Sequence, residues 1–141
     1  MPFEKPALNR IALLTAVLAL STICTQALAH HGATLYYDIE KPIVLRGTVT
    51  QFFWSNPHVQ IYFDVKGKNG KVVRWTGELN SIAGMTRGGW NKRMVKAGDH
   101  ITVTVFPAKT GTPTSVIDQA KGVVINGKRL EVDDPTAKPK N

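Results

Sequence analysis

The sequence predicts an all-β domain with one short helix, built as a five-stranded OB-like barrel and preceded by a cleaved signal peptide. Three observations predict this fold class. Segments of alternating polar and apolar residues are separated by turns rich in glycine, which is typical of half-buried strands. A glycine interrupts the long first strand, and a helical segment separates the third strand from the fourth. A five-stranded OB-type barrel needs both features, because its first strand must curl and a helix covers one end.

Residues 1–29 have the pattern of a secretory signal peptide. Lys5 and Arg10 precede an apolar run, and the segment ends in the small residues of "ALA". The run is shorter than the roughly 20 residues that a membrane helix needs. We therefore expect cleavage after Ala29, export to the periplasm and no stable membrane span after processing.

The remaining chain predicts one barrel domain over residues 30–132 and a polar, disordered tail over residues 133–141. Cys24 is the only cysteine and lies within the signal peptide. The processed protein therefore has no thiol for a disulfide, for catalysis or for metal binding.

The first three strands follow from composition and alternation. Residues 43–54 are rich in β-branched and aromatic side chains and predict a strand bent at Gly47. Residues 58–65 alternate regularly, and the turn 66–70 leads into a third alternating strand, 71–79. When the apolar faces of the second and third strands are aligned, the predicted opposite pairs are His58 with Glu78, Gln60 with Thr76 and Tyr62 with Arg74.

The second half of the domain contains the helix and the last strands. Residues 81–87 predict a short helix with Asn80 as its N-cap, ended by two glycines. Residues 100–106 predict a strand, and residues 114–132 predict a final strand followed by a hairpin at Asn126-Gly127. The main alternative, an immunoglobulin-like sandwich, would have about seven short strands and no helix.

The new amino terminus is the first candidate metal site. After cleavage, His30 would carry a free α-amino group beside its imidazole, and His31 would add a third nitrogen. Together with His58 this is similar to the amino-terminal histidine brace that holds copper in some secreted proteins, and such nitrogen ligands suit copper. The candidate metal ligands are therefore His30, His31 and His58, with copper as the expected ion. In the alternative interpretation, these adjacent histidines at a flexible terminus bind nothing.

The segment Trp54–His58 is the second candidate site. Pro57 restricts Asn56 and its own φ angle, so His58 is held at the entrance of a strand. In a purely structural interpretation, Asn56 closes the turn and His58 simply pairs with Glu78. A carboxylate partner also fixes the tautomer of metal-binding histidines, so the pair is compatible with both interpretations.

Aromatic and basic side chains form the third group of interest. OB barrels use such residues to stack on sugars or bases and to bind phosphate. Trp75 lies on the apolar face and is predicted to be core, whereas Trp90 is either core or an exposed contact. The basic members are Arg74, Arg87, Lys92 and Arg93. The candidate ligand-binding residues are Trp54, Asn56, His58, Glu78 and Trp90.

Charge and the absence of catalytic patterns bear on the kind of function. The formal net charge of +8 favours anionic partners, and export argues against nucleic acid, although the lysines can equally serve solubility. No nucleophile elbow, phosphate loop or zinc-protease motif occurs, so the sequence predicts no enzymatic activity. The leading hypothesis is an exported binding or accessory protein, with a ligand site for copper or a similar metal near His30, His31, Asn56, His58 and Glu78. The alternatives are a module for an anionic glycan, lipid headgroup or protein partner, and a purely structural partner protein.

Several short motifs occur in a joint order across the chain. They are Ala29-His30-His31, Asp38, Gly47-Thr48-Val49, W-x-NPH at Trp54–His58, W-x-x-E at Trp75–Glu78, Gly89-Trp90 and Gly98-Asp99. In this order the sequence resembles an uncharacterised family of short exported bacterial proteins, known as a domain of unknown function. It departs from the family in having Gly32 where serine often follows the paired histidines. The family has no established activity, so the resemblance implies that the motifs belong together and nothing about chemistry.

Overall fold

The computed structural model describes residues 34–132. Every strand and helix named below lies within the unit that begins at Tyr36. The expected signal peptide and the expected disordered tail lie outside the described residues. These two expectations stay predictions.

Residues 43–130 contain seven strands, one short α-helix and one turn of 3-10 helix. In chain order they are β1 (Ile43–Phe53), β2 (Gln60–Lys66), β3 (Val72–Glu78), α1 (Ile82–Arg87), β4 (His100–Pro107), β5 (Thr114–Ile117), the 3-10 turn (Gln119–Lys121), β6 (Val123–Ile125) and β7 (Lys128–Leu130).

Five of these strands close into a barrel in the order β1, β2, β3, β5, β4 and back to β1. The pairings are antiparallel except that between β3 and β5, which is parallel. α1 connects β3 to β4, while β6 and β7 form an additional hairpin beside β4. The prediction of an all-β, five-stranded barrel with a helix after its third strand is confirmed.

Gly47 lies where β1 changes from one neighbour to the other. The first half of the strand, Ile43–Thr48, pairs with β4, whereas Thr48–Phe53 pairs with β2. A Cβ atom on Gly47 would lie 2.4 Å from the backbone oxygen of Asp64. Only glycine allows this close approach of two backbones, which explains the interruption in an otherwise β-branched segment.

The inward faces of the strands form one hydrophobic core. Ile61 and Phe63 of β2 are fully buried, as are the alternating residues Ile101, Val103 and Val105 of β4. These are the positions at which period-2 alternation predicts apolar side chains. Fully burying side chains of this size stabilises the fold by about 1.5–3 kcal/mol each.

The predicted register of β2 against β3 is wrong by two residues. The opposite pairs are Gln60 with Glu78, Tyr62 with Thr76 and Asp64 with Arg74. A shift of two residues leaves every side chain on the same face, so alternation cannot distinguish the two registers. The turn decides the register, because the backbone nitrogen of Gly67 donates to the oxygen of Lys71 at 2.8 Å.

The predicted start of the helix is wrong by one residue. α1 begins at Ile82, and its N-cap is Ser81, whose hydroxyl accepts a hydrogen bond from Gly84 N. Asn80 instead accepts from the backbone nitrogen of Ser81 through its side chain. A Cβ atom on Gly84 would lie 2.5 Å from the Asn80 side chain, so this packing explains the glycine within the helix.

The predicted final strand is interrupted. β5 ends at Ile117, and the 3-10 turn Gln119–Lys121 separates it from β6. The turn is capped by Asp118, whose carboxylate accepts from Ala120 N at 3.2 Å. The predicted hairpin at Asn126-Gly127 is confirmed, since it joins β6 to β7 and both residues have positive φ angles, of 49° and 81°.

Candidate functional site

His58 and Glu78 meet at one end of the β2–β3 pair. The backbone nitrogen of Leu79 donates to Val59 O at 2.8 Å, and Val59 N donates to Asn80 O at 3.0 Å. These bonds extend the β2–β3 pairing beyond β2 and place Glu78 diagonally across from His58. Nδ1 of His58 contacts Oε1 of Glu78. The predicted contact between the two side chains is present, although they are not directly opposite.

The contact determines which nitrogen of the ring is available. In the neutral tautomer, a proton on Nδ1 is donated to the carboxylate, so the lone pair lies on Nε2. The His58 side chain is 49% exposed, against 25% for Glu78. The imidazole is therefore oriented by a partly buried anion while its outer part faces solvent, which is how proteins hold histidines that bind metals.

Tyr37 is a further polar group near Glu78. Burial raises the pKa of the Tyr37 hydroxyl, and the negative charge of Glu78 raises it further. The residue is positioned by a bridge to Ala108 and by a hydrogen bond of 2.9 Å from Asp38 N to Pro107 O. Tyr37 therefore keeps a neutral hydroxyl within electrostatic range of the Glu78 carboxylate. Sequence patterns did not reveal it, because the bridge joins segments about 70 residues apart.

The polar face of β2 contributes two more side chains. Gln60 lies directly opposite Glu78, and Tyr62 Oη donates to Gln60 Oε1 at 2.8 Å. The predicted register placed Gln60 opposite Thr76, so its position next to the carboxylate was missed. The correct register would have revealed it.

Asn56 connects the segment before His58 to the helix. Its side-chain oxygen accepts a hydrogen bond of 3.2 Å from Ile82 N, the first residue of α1. The peptide bond between Asn56 and Pro57 is cis. Asn56 therefore holds the turn that precedes His58 against the start of α1.

The two candidate tryptophans differ in exposure. Trp54 is partly buried and packs against Phe52, with ring centroids 5.6 Å apart. Trp90 is only 2% exposed, and its indole nitrogen donates to Glu131 O at 2.6 Å. Trp90 therefore belongs to the core and offers no face for stacking. Trp75 is also packed against the core, as predicted, although it is only partly buried.

The basic candidates are divided between paired and exposed positions. Arg74 forms hydrogen bonds of 2.8 and 3.1 Å to Asp64, which lower the pKa of that carboxyl group. Lys92 and Arg93 are exposed in the segment that follows Trp90. Arg74 is thus engaged within the sheet, whereas Lys92 and Arg93 face solvent.

Within residues 34–132, no three histidine, cysteine, aspartate or glutamate side chains are grouped closely enough to hold a metal ion. A metal at His58 would need ligands from elsewhere, and the predicted ones, His30 and His31, lie outside the described residues. No helix in the same described range is long and apolar enough to cross a membrane.

Comparison with known families shows the family to which the chain belongs. Residues 17–117 match DUF6152, a family of unknown function. The chain belongs to this family. The match to DUF6152 spans all five strands of the barrel and ends before β6, so the family is matched over the barrel and not over the added hairpin. The identification as a domain of unknown function is confirmed.

Neither the curated proteins nor the solved structures gave a significant match. The function must therefore be argued from the side chains.

Proposed function

We propose that this protein is an exported, non-enzymatic binding module that holds a copper ion through Nε2 of His58 together with His30 and His31. The observation that carries the proposal is the His58–Glu78 contact. It fixes the imidazole through Nδ1 and leaves Nε2 as the outward ligand on a half-exposed ring.

The amino terminus supplies the remaining ligands in this proposal. A free α-amino group and the imidazole of the same residue form a chelate, and amine and imidazole nitrogens favour copper over other divalent metals of the first row. His31 precedes Tyr37 by six residues, and Tyr37 is a residue whose pKa responds to the charge of Glu78.

Binding is expected to release protons. Amine and imidazole nitrogens coordinate only in their unprotonated forms, so affinity falls as the pH is lowered. Glu78 contributes by orienting the imidazole for coordination through Nε2.

Isothermal titration of the processed protein with Cu²⁺ tests the proposal. We expect one ion per chain, bound more tightly than about 1 μM, which corresponds to about 8 kcal/mol. His58→Ala and a variant with one extra residue before His30 should each bind much more weakly. His100→Ala is the matched control, because this exposed histidine lies on β4 and its backbone nitrogen, not its ring, donates to Asn126.

Two results would overturn the copper proposal. One is a wild-type protein without stoichiometric binding, and the other is equal loss of affinity in His58→Ala and His100→Ala. The terminus itself is checked by sequencing the mature protein, which should begin at His30. Any other first residue removes the amino-terminal chelate.

A second candidate function is binding of an anionic glycan or lipid headgroup. It is favoured by the exposed cations Lys92, Arg93 and Lys96, which lie close together in sequence after Trp90. Such binding would weaken steeply with added salt and would not respond to a chelator. Equal binding of a sulfated glycan at low and high salt would exclude it.

A further inference from the structure

β3 has a neighbour along only part of one edge. On one side it pairs with β2 along its whole length, from Val72 to Glu78. On the other side β5 covers only Thr76–Glu78. The segment Val72–Trp75, called the β3 edge below, is therefore at the margin of the sheet.

The backbone groups of the β3 edge point outward. Thr76 N donates to Pro113 O at 3.0 Å, and Thr76 O accepts from Ser115 Oγ at 3.0 Å, so both groups of Thr76 face away from β2. Backbone direction alternates along a strand, so the N–H and C=O groups of Val72 and Arg74 face the same way. Within residues 34–132, no strand pairs with Val72 or Arg74 on this outer side, and neither backbone takes part in a hydrogen bond outside the strand pairings.

The side chains around the β3 edge are apolar and positively charged. Val72 is 55% exposed and Val73 is 36% exposed. The end of β2 and the turn that follows it carry Lys66, Lys68 and Lys71, all exposed. Among the described residues, none of these lysines forms an ion pair.

We infer that the β3 edge binds an extended, acidic segment of a partner protein, which adds a strand beside Val72–Trp75. The open N–H and C=O groups supply the main-chain hydrogen bonds of strand addition. The lysines attract carboxylates on the added strand. They also repel a second copy of this chain, because edge-to-edge pairing would bring the same cations together.

The test uses the full mature protein and two capped hexapeptide probes. One probe alternates glutamate with valine, and the other alternates lysine with valine. In ¹⁵N-labelled protein, we expect the glutamate probe to shift the amide signals of Val72 and Arg74 and to slow their hydrogen exchange. It should bind at least about tenfold more tightly than the lysine probe.

Two sets of variants separate the backbone contribution from the charge contribution. Val72→Pro removes one outward N–H without removing a hydrogen bond to β2. It should therefore weaken binding of the glutamate probe about tenfold. Val72→Thr, which keeps the N–H, should bind as the wild type does. The double variant Lys68→Glu, Lys71→Glu should invert the preference and bind the lysine probe better. If Val72→Pro fails to fold, the double lysine variant still tests whether the acidic probe binds at the β3 edge.

Three results would overturn the inference. One is the absence of amide-signal shifts at the β3 edge when the glutamate probe is present at about 1 mM. A Kd weaker than about 1 mM would be too weak for specific recognition. Another is unchanged probe preference in the double lysine variant. The third is a concentration-dependent dimer whose protected amides lie on the β3 edge, which would identify a second copy as the occupant.

Discussion

Glu78 lies diagonally across the β2–β3 pair from His58 and contacts Nδ1 of its imidazole. Directly opposite Glu78 lies Gln60, and the charge of Glu78 contributes to the raised pKa of Tyr37. One carboxylate thus has neighbours from the segment before β2, from β2 itself and from the segment before β1. The contact engages Nδ1 of the half-exposed ring and leaves Nε2 free of Glu78.

Glu78→Gln should weaken copper binding by about tenfold to hundredfold, because the partner of a metal-binding imidazole tunes its orientation and basicity. The amide keeps the size of the side chain, so the circular dichroism spectrum should not change. Asp64→Asn is the matched control, since Asp64 is another carboxylate of the same sheet face and pairs with Arg74. Titration of both variants with Cu²⁺ measures the difference, and equal affinities would argue against a role for Glu78.

Asn56→Ala should destabilise the start of α1 by about 1 kcal/mol, the usual cost of losing an acceptor at a helix N-terminus. The Ile82 amide, which donates to Asn56 Oδ1, should then exchange its hydrogen faster. Asn56→Asp keeps the acceptor and should retain the slow exchange. Faster exchange in both variants, or in neither, would contradict this role of Asn56.

Asp99 should make stability depend on pH in the acid range. Hydrogen bonds from Asn126 Nδ2 and from the backbone of Lys96, both 2.8 Å, lower the pKa of its carboxyl group below 3.8. A carboxyl group with a lowered pKa in the folded state stabilises the fold above its unfolded pKa, and this contribution is lost as the pH falls through the folded value.

Asp99→Asn should therefore reduce the free energy of unfolding by about 1 kcal/mol at pH 7, because an amide cannot accept both bonds equally well. Urea denaturation of both proteins at pH 7 and near pH 3 measures the difference. The deficit of the variant should shrink at the lower pH. A deficit that is the same at both values would show that ionisation of Asp99 does not matter.

Gly47→Ala should destabilise the barrel by about 1–3 kcal/mol, the usual cost of forced overpacking. The added Cβ would lie 2.4 Å from Asp64 O, and a backbone atom cannot move aside as a side chain does. Gly67→Ala is the control, because its nearest contact is the side-chain oxygen of Asn69 at 3.1 Å. Thermal unfolding compares the two variants, and equal melting temperatures would contradict the requirement for glycine at position 47.

Local sequence patterns were sufficient to predict the strands, the bend and one hairpin. Alternation marks the buried positions of β2 and β4, and the turn Asn126-Gly127 needs two positive φ angles that few residue pairs adopt. Gly47 stood out because glycine is unfavourable within a strand unless another backbone approaches closely. Each of these features depends on neighbours in sequence or on one residue type.

Features that depend on distant contacts were not predictable in the same way. Two registers of β2 against β3 bury the same faces, so only the geometry of the turn selects between them. The position of Tyr37 depends on its bridge to Ala108, and the burial of Trp90 depends on Glu131. Nothing in the local pattern around either aromatic residue indicates these partners.

Pulsed electron paramagnetic resonance of the Cu²⁺-loaded mature protein measures whether His58 is a copper ligand. The modulation from the remote nitrogen of each coordinated imidazole counts the histidine ligands. His58→Ala should lose one coordinated imidazole relative to the wild type, while His100→Ala should lose none. An unchanged imidazole count in His58→Ala would show that His58 does not bind the copper ion.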